Sequence, residues 1–354
     1  MHPERIKELA HECGFELAGI AAAAPAGEAK YYREWAASGM AGEMRYLTDR
    51  RAALRDDPRS LLPSARSILC VGKLYNGPQP YSTRFGGDDR AWISRYAWGQ
   101  DYHDVLRRGL AAIVERLRAE ASAPFDWKIC VDTAPLLERA YARHAGLGWI
   151  GKNSCLINQA MGSWFFLGEV LLSLDLAPDR PPPDRCGTCT RCIDACPTEA
   201  IVPTRRAEGP AWALDARLCI SYFTIELRGP APEAPRAGIG RHVFGCDICQ
   251  DVCPWNRRAP VSREPGFAAA HFAPPLEQLA GLSEDEFRQM FRGTPIPRAR
   301  YAGFLRNVAL AMGNSKQEKF RAPLERLAAS EEPVVSEAAG WGLAQLSGST
   351  AALP

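Results

Sequence analysis

Cys186, Cys189, Cys192 and Cys196 are followed by Pro197, and Cys246, Cys249 and Cys253 by Pro254. The first run matches the bacterial ferredoxin spacing, in which three thiolates grip one [4Fe–4S] cluster and the fourth ligates its neighbour. The second run lacks its first member, since Val243 stands at that position. Cys219, well upstream, can supply the absent ligand. Two sets of four result: Cys186, Cys189 and Cys192 with Cys253, and Cys219, Cys246 and Cys249 with Cys196. Structural zinc also takes Cys-x-x-Cys pairs, but it needs two such pairs and has no use for a third close cysteine or a trailing Cys-Pro. Cys13, Cys70, Cys130 and Cys155 are dispersed and read as small buried apolar residues. Two clusters held this close form a wire for single electrons, and a wire needs a terminus.

Candidates for that terminus lie upstream of the cysteines. Asp132, Thr133, Ala134 and Pro135 close a strand at Val131 and open a helix through Leu136 to Tyr141, with Pro135 suited to its first turn. A carboxylate there sits where open α/β sheets place ligands, or else it caps the helix. Gly146 to Gly151 spell the dinucleotide fingerprint, but they follow a helix where the fingerprint needs a strand, which excludes a nicotinamide site. Lys152, Asn153 and Ser154, with Gly162, Ser163 and Trp164, either line a large cofactor or form a glycine-rich helix stop and a polar turn. Asp101 or Asp104 caps the helix beginning near His103. The Asp-x-His-x-x-Gly cobalamin signature fails there, because Leu106 replaces its glycine.

The elements that must position these groups are of mixed type. An opening helix carries Ile6, Leu9 and Ala10 and stops at Gly14, and 104–121 repeats the helical period. Residues 67–74, 127–131 and 165–174 read as strands bounded by Gly, Pro or Asp. Residues 1–177 therefore form an α/β (α+β) catalytic domain. The Pro-rich connector from Pro178 to Asp184 opens a second domain over 178–262. That domain has little apolar content besides its cysteines, so metal centres are expected to hold it together. Residues 263–354 form a short helical tail of repeat type, with Ala- and Leu-rich helices at 304–312 and 334–346 separated by a polar turn.

The 354 residues, 46% hydrophobic and 24% charged, are ordinary globular composition, and the net charge of +2 excludes no partner. Charged residues within Met1 to Ala10 exclude a signal peptide, and the most apolar stretch is too short to cross a bilayer. A cytoplasmic protein with no membrane partner is expected, and the reducing compartment suits metal over disulfides.

Several blocks together resemble the epoxyqueuosine reductase family, over nearly the whole chain. They are Asp132 to Pro135 with Glu138, Ala145 to Asn153, Gly162 to Gly168, Cys219 to Glu226, and Gly245 to Asn256. The resemblance implies a nitroreductase-like domain holding base-off cobalamin, a ferredoxin-like domain with two [4Fe–4S] clusters, and a HEAT-like tail. It further implies a monomer that draws electrons from an external donor. The reaction it implies is removal of the epoxide oxygen of epoxyqueuosine as water, at the wobble position of the tRNA anticodon arm. Asp132 becomes the acid that protonates the leaving oxygen, which requires an apolar, water-poor pocket that raises its pKa. Arg55, Arg95, Asp132, Asn153, Ser163, Ser221 and Asp247 become the cobalamin contacts.

From Arg288 to Arg321 the chain has eight basic residues and one acidic residue, Glu318, which makes either a tRNA-binding face or a solvated patch. Two other functions fit parts of the sequence: a cobalamin-dependent reductive dehalogenase, and an iron–sulfur electron carrier with no chemistry of its own.

Overall fold

A computed structural model describes residues 1–204 and 211–347. Its first part is built on a sheet ordered β1 (Leu17–Ala22), β2 (Ser67–Leu74), β7 (Phe165–Leu172), β4 (Trp127–Cys130), antiparallel at every pairing. The remaining strands are short: β3 (Trp92–Ile93), β5 (Trp149–Ile150), β6 (Leu156–Ile157), β8 (Ile201–Pro203), β9 (Trp212–Leu214) and β10 (His242–Phe244). Of the two forms expected for this part, the α+β one is present. Asp132 follows an edge strand of an antiparallel sheet, so the rule for open parallel sheets does not explain its position.

Every residue of β2 is buried, because both faces of the sheet are covered. Continuous apolar sequence, without alternation, is what such a strand requires. One face carries Leu69, Val71 and Val170 under the Pro3–Glu12 and Tyr102–Glu120 helices, which supply Ile6, Leu9, Leu106, Leu110 and Ile113. The other carries Ile68, Cys70, Cys130 and Leu171 under the Glu138–His144 helix, through Ala140 and Tyr141. That helix starts later than expected, and 132–137 is an irregular turn. The first helix ends as expected, with Gly14 at φ +89°, a conformation that costs other residues energy.

The segment at 178–262 takes part in more apolar core than its composition suggests. Phe223, Ile225, Val243 and Phe244 share one apolar cluster with Trp92 and Trp98 from the first part and with Phe287, Phe304, Leu310 and Leu324 from the last. β10 also pairs in parallel with β3. Both expected boundaries are therefore crossed by shared core. The last part is helical: Tyr301–Ser315 packs on Pro333–Ser347 and Arg321–Ala328. The polar turn expected between two helices contains this third one, which buries Leu324 and Leu327. Residues 348–354 of the expected tail lie outside the described residues. Among the described residues, no helix is long and apolar enough to cross a membrane.

Candidate redox and proton-transfer site

The fold gathers the eight cysteines into two groups. Cys192 lies within electrostatic reach of Cys253, Cys186 and Cys189, and these four border a cavity of about 250 Å³. Cys246 lies similarly close to Cys219 and Cys196, and Cys249 to Cys246 and Cys219. Each group thus contains one cysteine from the other's run, at the places the ferredoxin spacing assigns. The Ala145–Asn153 stretch serves these loops. Lys152 Nζ donates to the carbonyls of Gly187 (2.8 Å) and Cys189 (2.9 Å), and Asn153 Nδ2 donates to the Cys249 carbonyl at 3.3 Å. Gly162, at φ +70°, admits Asn256 so closely that a Cβ would stand 2.3 Å from its Oδ1. Cys155 was given no role from sequence, yet its thiol lies against Cys249 and it lines the neighbouring cavity.

That second cavity has a volume of about 680 Å³, within the range of sites for large ligands. Tyr75, Tyr96, Tyr102, Phe165 and Phe166 provide aromatic walls, and Asp132, Glu138, His103, Ser163 and Gln250 provide polar groups. Thr294, Pro295, Pro297 and Arg298 close one side, so the C-terminal part contributes to the site. Sequence spacing placed Arg298 on a basic face; only the fold brings it here.

Asp132 does not occupy the apolar, water-poor pocket expected for it. Its side chain is 41% exposed, and its Oδ2 lies 3.3 Å from His103 Nε2 and 3.9 Å from Arg298 Nη1. Partial burial pushes its pKa up, but His103, Arg298 and the Tyr102 hydroxyl outweigh that and hold the carboxyl below its ordinary range. The expected rise is therefore reversed. Asp101 caps the Tyr102–Glu120 helix through the His103 N–H, and the same Oδ1 lies 2.7 Å from His103 Nδ1. Hydrogen bonds to Asp101 and then Asp132 raise the imidazole pKa to about 9. At neutral pH the proton of this pair is on His103.

Of the residues assigned to cobalamin, Asp132 and Ser163 line the cavity. The others are engaged elsewhere. Arg95 is buried, donates to the carbonyls of Gly77, Gln79 and Pro80, and lies over Tyr81, Trp98 and Trp164. Asp247 accepts from Ser94 Oγ and, at 2.8 Å, from the Arg95 N–H. Arg55 donates to the Arg51 carbonyl at 3.2 Å and lies over Tyr32. Ser221 hydrogen-bonds the Cys219 thiol, and Asn153 borders the first cysteine cavity. The family resemblance supplied these residues; in this structure their side chains fix loops around the cavity.

Paired thiol groups beside a large cavity with its own acid–base pair define an iron–sulfur oxidoreductase that binds a large cofactor or substrate. A family model for epoxyqueuosine reductase QueG matches residues 55–133, and one for a 4Fe-4S double cluster binding domain matches 185–256. The epoxyqueuosine reductase of Xanthomonas campestris is 43% identical over 347 residues, covering 96% of this chain and 95% of the relative. That of Gloeobacter violaceus is 45% identical, covering 88% and 96%. Among solved structures, an epoxyqueuosine reductase with an epoxyqueuosine-modified tRNA stem loop superposes with a TM-score of 0.86, at 29% identity, covering 97% of this chain and 89% of that one. Another, from Bacillus subtilis, gives 0.85 at 28% identity, covers 97% and 90%, and has its catalytic aspartate loop swung out of the active site. The chain belongs to the epoxyqueuosine reductase family. It is an oxidoreductase with two [4Fe–4S] clusters, and the enzymes of its family also depend on cobalamin.

The cavity fits such a cofactor. Its aromatic walls suit the apolar body of a corrin and its polar rim suits amide side chains. His103, the one histidine among the lining residues, has both ring nitrogens engaged by carboxylates, so it is not free to ligate cobalt. That agrees with a corrin held without an imidazole from the protein.

Proposed function

We propose that this chain removes the epoxide oxygen of epoxyqueuosine in a tRNA anticodon arm as water, with the Asp132–His103 pair as its proton source. The observation that carries the reading is that one cavity is bordered both by this pair and by Cys155, whose thiol lies against Cys249. Electrons and protons thus converge on the same space. Cys186, Cys189, Cys192 and Cys253 hold one cluster, and Cys196, Cys219, Cys246 and Cys249 hold the other. The first group borders an open cavity and receives electrons from an external donor, while the second adjoins the reaction cavity. Cobalamin, when bound there, supplies a low-valent metal centre able to reduce a strained C–O bond.

The chain's own residues move the protons. His103 holds one on Nε2, against Asp132 Oδ2, and both side chains line the cavity. As negative charge develops on the leaving oxygen, the His103 proton, held by Asp101 on the other ring nitrogen, moves through the Asp132 carboxylate to that oxygen, and His103 reprotonated from solvent supplies the second proton that completes water. This relay works at neutral pH, where an isolated Asp would seldom be protonated. Tyr102 and Arg298 orient the Asp132 carboxylate. Ser163 and Gln250 line the cavity and offer hydrogen bonds to amide groups. The exposed Arg292 and Arg300 flank the Thr294–Arg298 wall in sequence and supply charge for the RNA backbone.

The test is anaerobic incubation of cluster-reconstituted protein, cobalamin and a strong reductant with a stem loop bearing epoxyqueuosine, followed by mass spectrometry of the nucleosides. Loss of one oxygen, abolished by Asp132→Asn, is the expected result. An unchanged nucleoside despite full clusters and bound cobalamin would overturn the reading.

A further inference from the structure

Glu169 lies in the middle of β7, opposite Cys70 of β2 and Cys130 of β4, and is fully buried. Neither of its carboxyl oxygens meets a hydrogen-bond donor. A carboxyl in that position is costly, because a central strand between two apolar layers offers no solvation for a charge. The group it faces is another carboxyl, that of Glu138 at the start of the Glu138–His144 helix. With no other donor within reach of Glu169, the two carboxyls in contact can satisfy it only if one of them carries a proton.

Glu138 also reaches the catalytic loop. Its Oε1 accepts the backbone N–H of Asp132 at 2.5 Å. Asp132 needs such a hold, because its φ of +51° lies in the left-handed region that side chains disfavour. The proton relay described above uses neither glutamate. We propose that Glu138 and Glu169 share one proton, and that the pair is a positioning device that pins the Asp132 backbone in its left-handed conformation.

Burial, and then the Asp132 charge, push Glu138 up to about 7, and burial, and then Glu138, push Glu169 well above the carboxylate range. The other charged groups that face the pair are Asp132, which opposes ionisation of both, and Arg139, which favours ionisation of Glu138. The Cys70 and Cys130 thiols flank it within the sheet and stay neutral, since burial raises both. At neutral pH one proton therefore remains in the pair. Its loss would leave two adjoining anions at the base of the Asp132 turn, and the turn would loosen.

The inference rests on the role proposed for Asp132, and its test separates the two. Infrared spectra of protein carrying ¹³C-labelled glutamate, with clusters and cobalamin bound, should show a protonated carboxyl stretch at neutral pH. That band should vanish in both Glu169→Gln and Glu138→Gln, because an amide donor replaces the shared proton. Glu138→Ala, which removes the acceptor for the Asp132 N–H, should lower kcat at least tenfold while leaving KM for the stem loop in place. Glu138→Gln, which keeps an acceptor oxygen, should restore most of that kcat. No protonated band in the wild type, a band that survives both Gln variants, or a Glu138→Gln enzyme as slow as Glu138→Ala would overturn the proposal. An inactive wild type that shows the band would instead sink the reading of function and leave the pair standing.

Discussion

His103 Nε2 lies 3.3 Å from Asp132 Oδ2, so the proposed proton source is a pair of opposite charges and not a lone buried acid. A carboxyl whose pKa burial alone had raised would still lose its proton near neutrality, whereas this pair holds one until the imidazole titrates.

The first prediction follows from that titration. With His103 raised to about 9, turnover should hold through neutral pH and fall as the pH rises through about 9. His103→Gln should remove this alkaline limb and lower kcat by about 10²- to 10⁴-fold, the usual worth of a general acid. Stability has the same sign. A histidine whose folded pKa exceeds its unfolded value of about 6.5 stabilises fully below that value and loses its contribution as pH rises through the folded pKa. Urea unfolding at pH 6 and pH 10 should therefore differ less in His103→Gln than in the wild type.

The crossed cysteine groups predict iron content. Two intact clusters hold about eight irons. Cys253→Ser should strip the first cluster and leave the second, despite lying in the second run, so the purified protein should retain about four irons. Cys196→Ser should do the converse. Cys155→Ser should keep all of them, because Cys155 adjoins Cys249 without belonging to either group of four. A Cys253→Ser protein that keeps the first cluster and loses the second would reverse the assignment.

Sequence made the thiol chemistry legible and the proton chemistry only half so. Ligand spacing in the cysteine runs is local, so Cys186 to Cys196 and Cys246 to Cys253 could be read without a fold. Strands such as Ser67–Leu74 were legible for the same reason, since buried central strands are continuously apolar. Asp132 could be named from its motif, but its pKa depends on His103, 29 residues away, and on Arg298 from the far end of the chain. No local pattern encodes those distances. Arg95 and Asp247 could be named only from the family resemblance, which gives a residue's position in a motif but not its partners; here they hold loops, Arg95 through Gly77 and Asp247 through Ser94.

Arg306 belonged to the basic face on sequence grounds, yet it is 1% exposed. Its guanidinium donates to the carbonyls of Phe223 (2.5 Å), Leu227 (2.9 Å) and Gly229 (2.6 Å) and to Asn307 Oδ1. Burial lowers its pKa to about 10, still charged at neutrality. Arg306→Ala should cost roughly 3 to 5 kcal/mol, because it strands several buried acceptors at once. Arg306→Lys should recover little of it, since an ammonium cannot span three carbonyls from one plane. Thermal denaturation would measure both, and a loss near zero would mean that these carbonyls find other donors.

The salt dependence of RNA binding decides which of the remaining basic residues matter. Arg288 is paired with Glu284 and Asp285, Lys319 with Asp89, and Arg321 with Glu318. Such pairs release little on meeting a phosphate, because an existing partner must first be given up. Arg292, Arg300 and Lys316 are exposed and make no ion pair among the described residues. Each side chain that displaces a counterion from RNA contributes about 0.7 to 0.9 to the slope of log affinity against log salt. Arg292→Ala and Arg300→Ala, which flank the Thr294–Arg298 wall in sequence, should each lower the slope by about that amount, whereas Arg288→Ala and Arg321→Ala should leave it nearly unchanged. Fluorescence anisotropy of a labelled anticodon stem loop between low and moderate salt would read these slopes. A flat wild-type response would show that the RNA is held by contacts other than these charges.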